Sequence, residues 1–131
     1  MEQNTQNQIK KKVLLVDDDS SVASVFQTAL TNAGFDVKVA ENGAKGIESA
    51  KADVFDLILL DEMMPDMQGN DVLKSLKADQ KTVNIKIAIL TNFAQDEMVK
   101  EALSAGAVDY ILKYQISTDD LVKKVKALLG S

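Results

Sequence analysis

The stretch Val54-Phe55-Asp56-Leu57-Ile58-Leu59-Leu60-Asp61-Glu62-Met63-Met64-Pro65-Asp66-Met67-Gln68-Gly69 decides how the rest of the chain is read. Leu57 to Leu60 is a short unbroken apolar run, the pattern of a strand buried on both faces. Asp61 ends it directly, although an unpaired carboxylate is costly in such surroundings. Pro65 and Gly69 then impose a turn that carries the chain out of the sheet. In α/β proteins ligands bind at the carboxyl ends of central strands, so a site is expected around Asp61.

Working outward, the same alternation of strand and helix recurs. Upstream, Lys10-Lys11-Lys12 leads into an apolar strand, Val13 to Val16, which ends in Asp17-Asp18-Asp19-Ser20-Ser21. Val22, Val25, Phe26, Ala29 and Leu30 follow at helical spacing and stop at Gly34. Phe35 to Ala40 alternates as an edge strand does, and Asn42-Gly43 opens a helix with Ala44, Ile47 and Ala50 on one face. Downstream of Gly69, a third helix carries Val72, Leu73 and Leu76. Lys86 to Leu90 is a fourth strand ending in Thr91-Asn92. A fourth helix carries Met98, Val99, Ala102 and Leu103 to Gly106, and Val108 to Leu112 is a fifth strand ending in Lys113-Tyr114. Ser117 and Asp120 have capping-box spacing before a last helix that buries Leu121, Val122, Val125, Leu128 and Leu129. Five strands alternating with five helices predict a doubly wound α/β domain, a parallel sheet with helices on both faces. Met1 to Gln8, rich in Gln and Asn, is expected to be a disordered tail, with the boundary at residues 9 and 10 and one domain over 10–131.

Composition narrows the chemistry. The chain has 131 residues, 46% of them hydrophobic and 27% charged, enough for one domain with a real core. Its net charge of -5 disfavours direct binding to nucleic acid or anionic membrane. All fifteen basic residues are Lys, so bidentate arginine clamps on phosphate are absent. There is no Cys and no His, which removes disulfides, thiolate sites, Ser-His catalysis and zinc-imidazole chemistry. No apolar run reaches membrane-spanning length and the N-terminus carries no hydrophobic signal segment, so a cytoplasmic location is expected.

The polar residues gather at strand ends: Asp17, Asp18 and Asp19 after the first strand, Asp61 after the third, Thr91 after the fourth, Lys113 after the fifth. In a doubly wound sheet these ends share one edge. Converging carboxylates repel and raise one another's pKa values. A hard divalent cation such as Mg²⁺, which takes oxygen ligands, relieves that repulsion. Carboxylate, Mg²⁺, hydroxyl and ammonium together suit phosphoryl transfer to an aspartate.

These motifs resemble the receiver domain of bacterial two-component response regulators. Val16-Asp17-Asp18, Leu60 to Gly69, Leu90-Thr91-Asn92 and Ala102 to Lys113 match it in order and spacing. The resemblance implies a flavodoxin-like (βα)5 fold with strand order 2-1-3-4-5 and Asp61 as phosphoacceptor, charged by a histidine kinase or phosphotransfer protein. It also implies Mg²⁺ on Asp18, Asp61 and the Met63 carbonyl, with Asp17 acting through water. Thr91 and Lys113 would contact the phosphoryl group, and Tyr110 would turn inward as the switch aromatic. The altered face would be the fourth helix, fifth strand and fifth helix, about 94–129, where a downstream output protein or domain, or a second copy forming a homodimer, docks.

Two departures stand out. Tyr114 replaces the family's Pro after the lysine, so that bond is expected to be trans, since a non-proline cis bond costs about 3–4 kcal/mol. Bulky Asn92 and Phe93 follow Thr91. Met63 and Phe93 flank the path of attacking water in the family, and being apolar they cannot orient it, so slow self-dephosphorylation is expected.

The plainer readings stay alongside. Asp19 suits a helix cap, Asp66 and Asp71 suit solvated turn and helix-start charges, and the lysines at 10–12 suit a solvated tail. Two other functions also remain: a Mg²⁺-dependent phosphatase or phosphotransferase with an aspartyl intermediate, and an interaction module that is never phosphorylated. Against the first, position 63 is Met where such enzymes carry a second aspartate, and no insertion is long enough for a cap. The expected activity is therefore limited to the chain's own phosphorylation and dephosphorylation. With no effector pattern after the last helix, the chain reads as a stand-alone receiver or a domain of a larger regulator.

Overall fold

A computed structural model describes residues 9–130. The expected N-terminal tail, apart from the exposed Ile9, lies outside them. Five strands, β1 (Lys12–Val16), β2 (Asp36–Ala40), β3 (Leu57–Leu60), β4 (Lys86–Thr91) and β5 (Asp109–Leu112), form one sheet in the order β2-β1-β3-β4-β5. All pairings are parallel. The helices are α1 (Ser20–Asn32), α2 (Gly43–Ala52), α3 (Gly69–Lys77), α4 (Asp96–Ser104) and α5 (Thr118–Leu129), with a single 3₁₀ turn at Lys113–Gln115.

Alternate residues of the central strands feed two separate cores, because successive side chains point to opposite faces. Leu14, Val16, Ile58, Leu60, Ile87 and Ile89 pack with α3, including Val72, Leu73 and Leu76. Val13, Leu15, Leu57, Leu59, Ala88 and Leu90 pack with Phe26 and Leu30 of α1 and with Leu121 and Val125 of α5. Every residue of β3 is buried, whereas the edge strand β2 is only partly covered. Helix ends follow their sequence signals. Asp19 caps α1 by accepting from the N–H groups of Ser21 and Val22, and Ser117 Oγ caps α5 by accepting from the Asp120 N–H at 3.0 Å.

Some helix faces are rotated from those expected. Val25, Ala44 and Leu103 lie in solvent, and the buried positions of α1 are Ala23, Phe26 and Leu30. In α2 they are Gly43, Gly46 and Ala50, where a Cβ on Gly46 would stand 2.9 Å from the Val16 methyls. Close backbone approach, not apolar volume, seats that helix. Helix α4 buries only Ala102 fully. Nor is Lys12 part of a free tail: it lies in β1, pairs with Asp53 and stands 5.4 Å over the Phe55 ring.

Candidate functional site

The carboxyl ends of β1 and β3 are adjacent in the sheet, and Asp17 and Asp61 extend them by one residue. The Asp17 N–H donates to Ala40 O at 3.0 Å and the Asp61 N–H to Val16 O at 2.9 Å, so both carboxylates start from fixed backbone. Asp17 is 2% exposed and Asp61 7%. With the exposed Asp18 they bring one carboxylate oxygen each within 4.8 Å of one another. Lys113, at the end of β5, reaches into the same space: its Nζ lies 2.6 Å from Asp17 Oδ2 and 3.4 Å from Asp61 Oδ2. Asp17 Oδ2 takes no hydrogen bond of regular geometry, so its compensation is that ionic contact. The other oxygen, Oδ1, accepts from the Asp19 N–H at 2.9 Å. Thr91 is fully buried at the end of β4, and its Oγ1 accepts from the Phe93 N–H at 3.4 Å. The chain has no cis peptide bond among the described residues, and Lys113 reaches the acidic pair with Tyr114 following it in trans.

Burial is the largest influence on Asp61 and raises its pKa, with Asp17 adding to the rise; Lys113, the Thr91 hydroxyl and the Met63 N–H work the other way. The donor set suits a hard cation. Three carboxylates supply only oxygen, and one ammonium leaves negative charge in excess, as Mg²⁺ requires. Asp17, Asp18 and Asp61 are the side chains that would hold the ion, with Met63 in the loop beside them.

That loop is tightly made. Met63 pairs with Gln68 in an isolated antiparallel bridge, and the Gly69 N–H donates to Glu62 O at 2.7 Å. A Cβ on Gly69 would meet Asp61 O at 2.4 Å, so only glycine fits. Asp66 is solvent-exposed, as expected of a turn charge, and it is also bonded. It accepts from the N–H groups of Gly43 (3.0 Å) and Ala44 (2.9 Å) at the start of α2, which hold its carboxyl below the usual range. Tyr110 is half-buried, and its hydroxyl donates to Phe93 O at 2.8 Å. Burial, then the negative charges of Glu62 and Asp61, push it up to about 12.

Sequence reasoning passed over Glu62 and Asn70. Glu62 has no exposed surface, and its Oε2 accepts from the Asn70 N–H at 3.0 Å. Burial pushes its carboxyl up, against that hydrogen bond. Asn70 is 2% exposed in the first turn of α3. The available signal was spacing: Asn70 lies three residues before Leu73 and six before Leu76, on the buried stripe.

The doubly wound sheet carries an acidic pocket and a lysine at its carboxyl edge. The chain belongs to the response regulator receiver domain family, whose sequence profile matches residues 13–126. It is 33% identical over 118 residues to the cell cycle transcriptional regulator CtrA of Caulobacter vibrioides, covering 90% of this chain and 50% of that protein. With the transcriptional regulatory protein ZraR of Escherichia coli it shares 38% over 101 residues, 77% of this chain and 22% of the relative. The chain thus spans half or less of these two relatives. Among solved structures, a CheY-like receiver domain protein from Methanospirillum hungatei superposes with a TM-score of 0.87 at 30% identity. That match covers 93% of this chain and 95% of the other. CheY4 of Vibrio cholerae gives 0.86 at 28%, covering 92% and 100%. The fold is the flavodoxin-like receiver fold, and the chain is a receiver domain of a two-component system. No helix among the described residues is long and apolar enough to cross a membrane.

Proposed function

We propose that residues 10–131 form a phosphorylation-controlled receiver, with 1–9 as a tail, in which Asp61 accepts a phosphoryl group from a histidine kinase or phosphotransfer protein in the cytoplasm. The observation that carries this reading is the convergence of Asp17, Asp18 and Asp61 within 4.8 Å, with Lys113 contacting two of them. A carboxylate oxygen of Asp61 attacks phosphorus, the donor's P–N bond breaks, and an acyl phosphate forms; water later cleaves it. Bound Mg²⁺ would supply charge neutralisation between the acidic side chains and the phosphoryl oxygens. Lys113 exchanges its contact with Asp61 for the phosphoryl charge, and the Thr91 hydroxyl donates to a phosphoryl oxygen. Drawing Thr91 inward alters the β4–α4 loop, to which Tyr110 is tied through Phe93 O, and so resets the α4-β5-α5 face for an output partner or a second copy.

The test is incubation with Mg²⁺ and acetyl phosphate. One phosphoryl mass should appear on Asp61, require the metal, and be absent from Asp61→Asn. Protein that stays unmodified, and shows no amide response to beryllofluoride, overturns the reading. Steady turnover of a phosphomonoester would do so in favour of a phosphatase.

A further inference from the structure

We propose that Asn70 is a positioning residue that holds α4 in its resting place and thereby ties the docking face to the state of Asp61. This rests on the phosphoacceptor reading above. Asn70 is bonded in two directions. Its main-chain N–H donates to the buried Glu62 carboxylate at 3.0 Å, directly after Asp61. Its side-chain Nδ2 donates to Met98 O at 3.3 Å and to Glu101 Oε1 at 3.0 Å, both on α4. Glu101 in turn pairs with Lys74 of α3. Helix α4 buries only Ala102 fully, so these polar bonds are a large share of what seats it.

Packing alone does not account for the arrangement. Glu62 Oε1 and Asn70 Oδ1 are buried without a partner, and apolar side chains would fill that space at lower cost. A directional link between two elements is what the polar pair adds. Any ligand at Asp61 that displaces α4 must break the Asn70 bonds. By linkage, the bonds weaken that ligand's binding by the factor with which they favour the resting position.

Beryllofluoride with Mg²⁺ is the probe, titrated against amide spectra of the whole chain. Asp61 and Thr91 report the site, and Met98 to Leu103 report α4. Asn70→Leu should lower the half-saturating beryllofluoride concentration about thirtyfold, the lower end of what two lost bonds, one to a carboxylate, are worth. In the free variant the α4 amides should already lie toward the wild-type bound positions. Glu101→Ala, at a half-exposed side chain, should act in the same direction by about threefold and decides the matter if Asn70→Leu fails to fold. A merely structural role would lower the melting temperature and leave both readouts in place. Unchanged or weakened binding, or unmoved α4 amides in free Glu101→Ala, overturns the proposal. A wild-type protein whose Asp61 amide ignores beryllofluoride fails earlier, on the phosphoacceptor reading, and removes the coupling with it.

Discussion

Replacing Asp61 by Asn tests the electrostatics of the pocket without any phosphodonor. Ionised Asp61 sits 3.4 Å from the Lys113 ammonium, an attraction of about 5 kcal/mol at an effective dielectric constant near 20. Asp17 lies within 4.8 Å, a repulsion of at least about 3.5 kcal/mol on the same footing. The remaining gain, at most about 1.5 kcal/mol, must offset desolvation of a carboxylate only 7% exposed, a penalty of several kcal/mol. Asn keeps the shape, loses the charge, and leaves Asp17 and Lys113 as a matched pair. The metal-free variant should therefore be more stable than the wild type at pH 7, by about 2 kcal/mol or roughly 6–10 °C in Tm.

The pH dependence follows from the direction of the shift. Asp61 is raised from 3.8, so the wild type holds its full stability below that value and loses it as pH rises through the folded-state pKa. The advantage of Asp61→Asn should accordingly vanish near pH 3. Saturating Mg²⁺ should reverse the order, since a ligand at a hundred times its Kd adds about 2.7 kcal/mol to the form that binds it. Thermal melts of both proteins, in chelator and in Mg²⁺, at pH 7 and pH 3, read all four corners. A variant less stable than wild type in chelator at pH 7, or an advantage that persists at pH 3, refutes the reasoning.

Gly69→Ala should cost about 1–3 kcal/mol, because the new Cβ meets a backbone carbonyl at 2.4 Å; denaturant melts check it, and an unchanged midpoint would be contrary. Met63 and Phe93 are both exposed at the site rim, 42% and 45%, so the acyl phosphate should decay slowly. Met63→Asn with Phe93→Glu should shorten its lifetime, read by loss of labelled phosphate, and an identical decay rate counts against the idea. Asp66→Asn should destabilise the fold at pH 7, since Asp66 holds two N–H groups of α2. Its pKa is lowered, so the stability it contributes is present above the unfolded value and lost as pH falls through the folded one. Melts of this variant and the wild type should converge in acid.

The sheet was legible because β1, β3 and β4 are apolar runs stopped by a charged or hydroxyl side chain, and the edge strand β5 runs likewise into a lysine. Asp17, Asp61, Thr91 and Lys113 announce themselves as those stops, and the structure brings them to one edge. Helix faces were less legible. Gly43 and Gly46 are buried by close approach to Met67 and Val16, which a count of apolar side chains does not register, so the spacing points to Ala44, which is exposed. Polar residues that work inside the fold were hidden for the converse reason. Glu62 and Asn70 look like surface by residue type, and apart from the helical spacing of Asn70 it is their bonding partners, 8 and 31 positions away in sequence, that account for their burial. Asp66 is exposed, and its role shows only in its bond to a residue 22 positions away.

Strand β3, which leads into Asp61, lies third of five in the sheet and is sealed on both faces, while α4, seated on β5 and α3, is thinly attached. Amide hydrogens of β1 and β3 should therefore exchange only on global unfolding, and those of α4 through local opening. The strand that carries Asp61 stays still, and motion is cheapest at the margin of the molecule, where α4 lies.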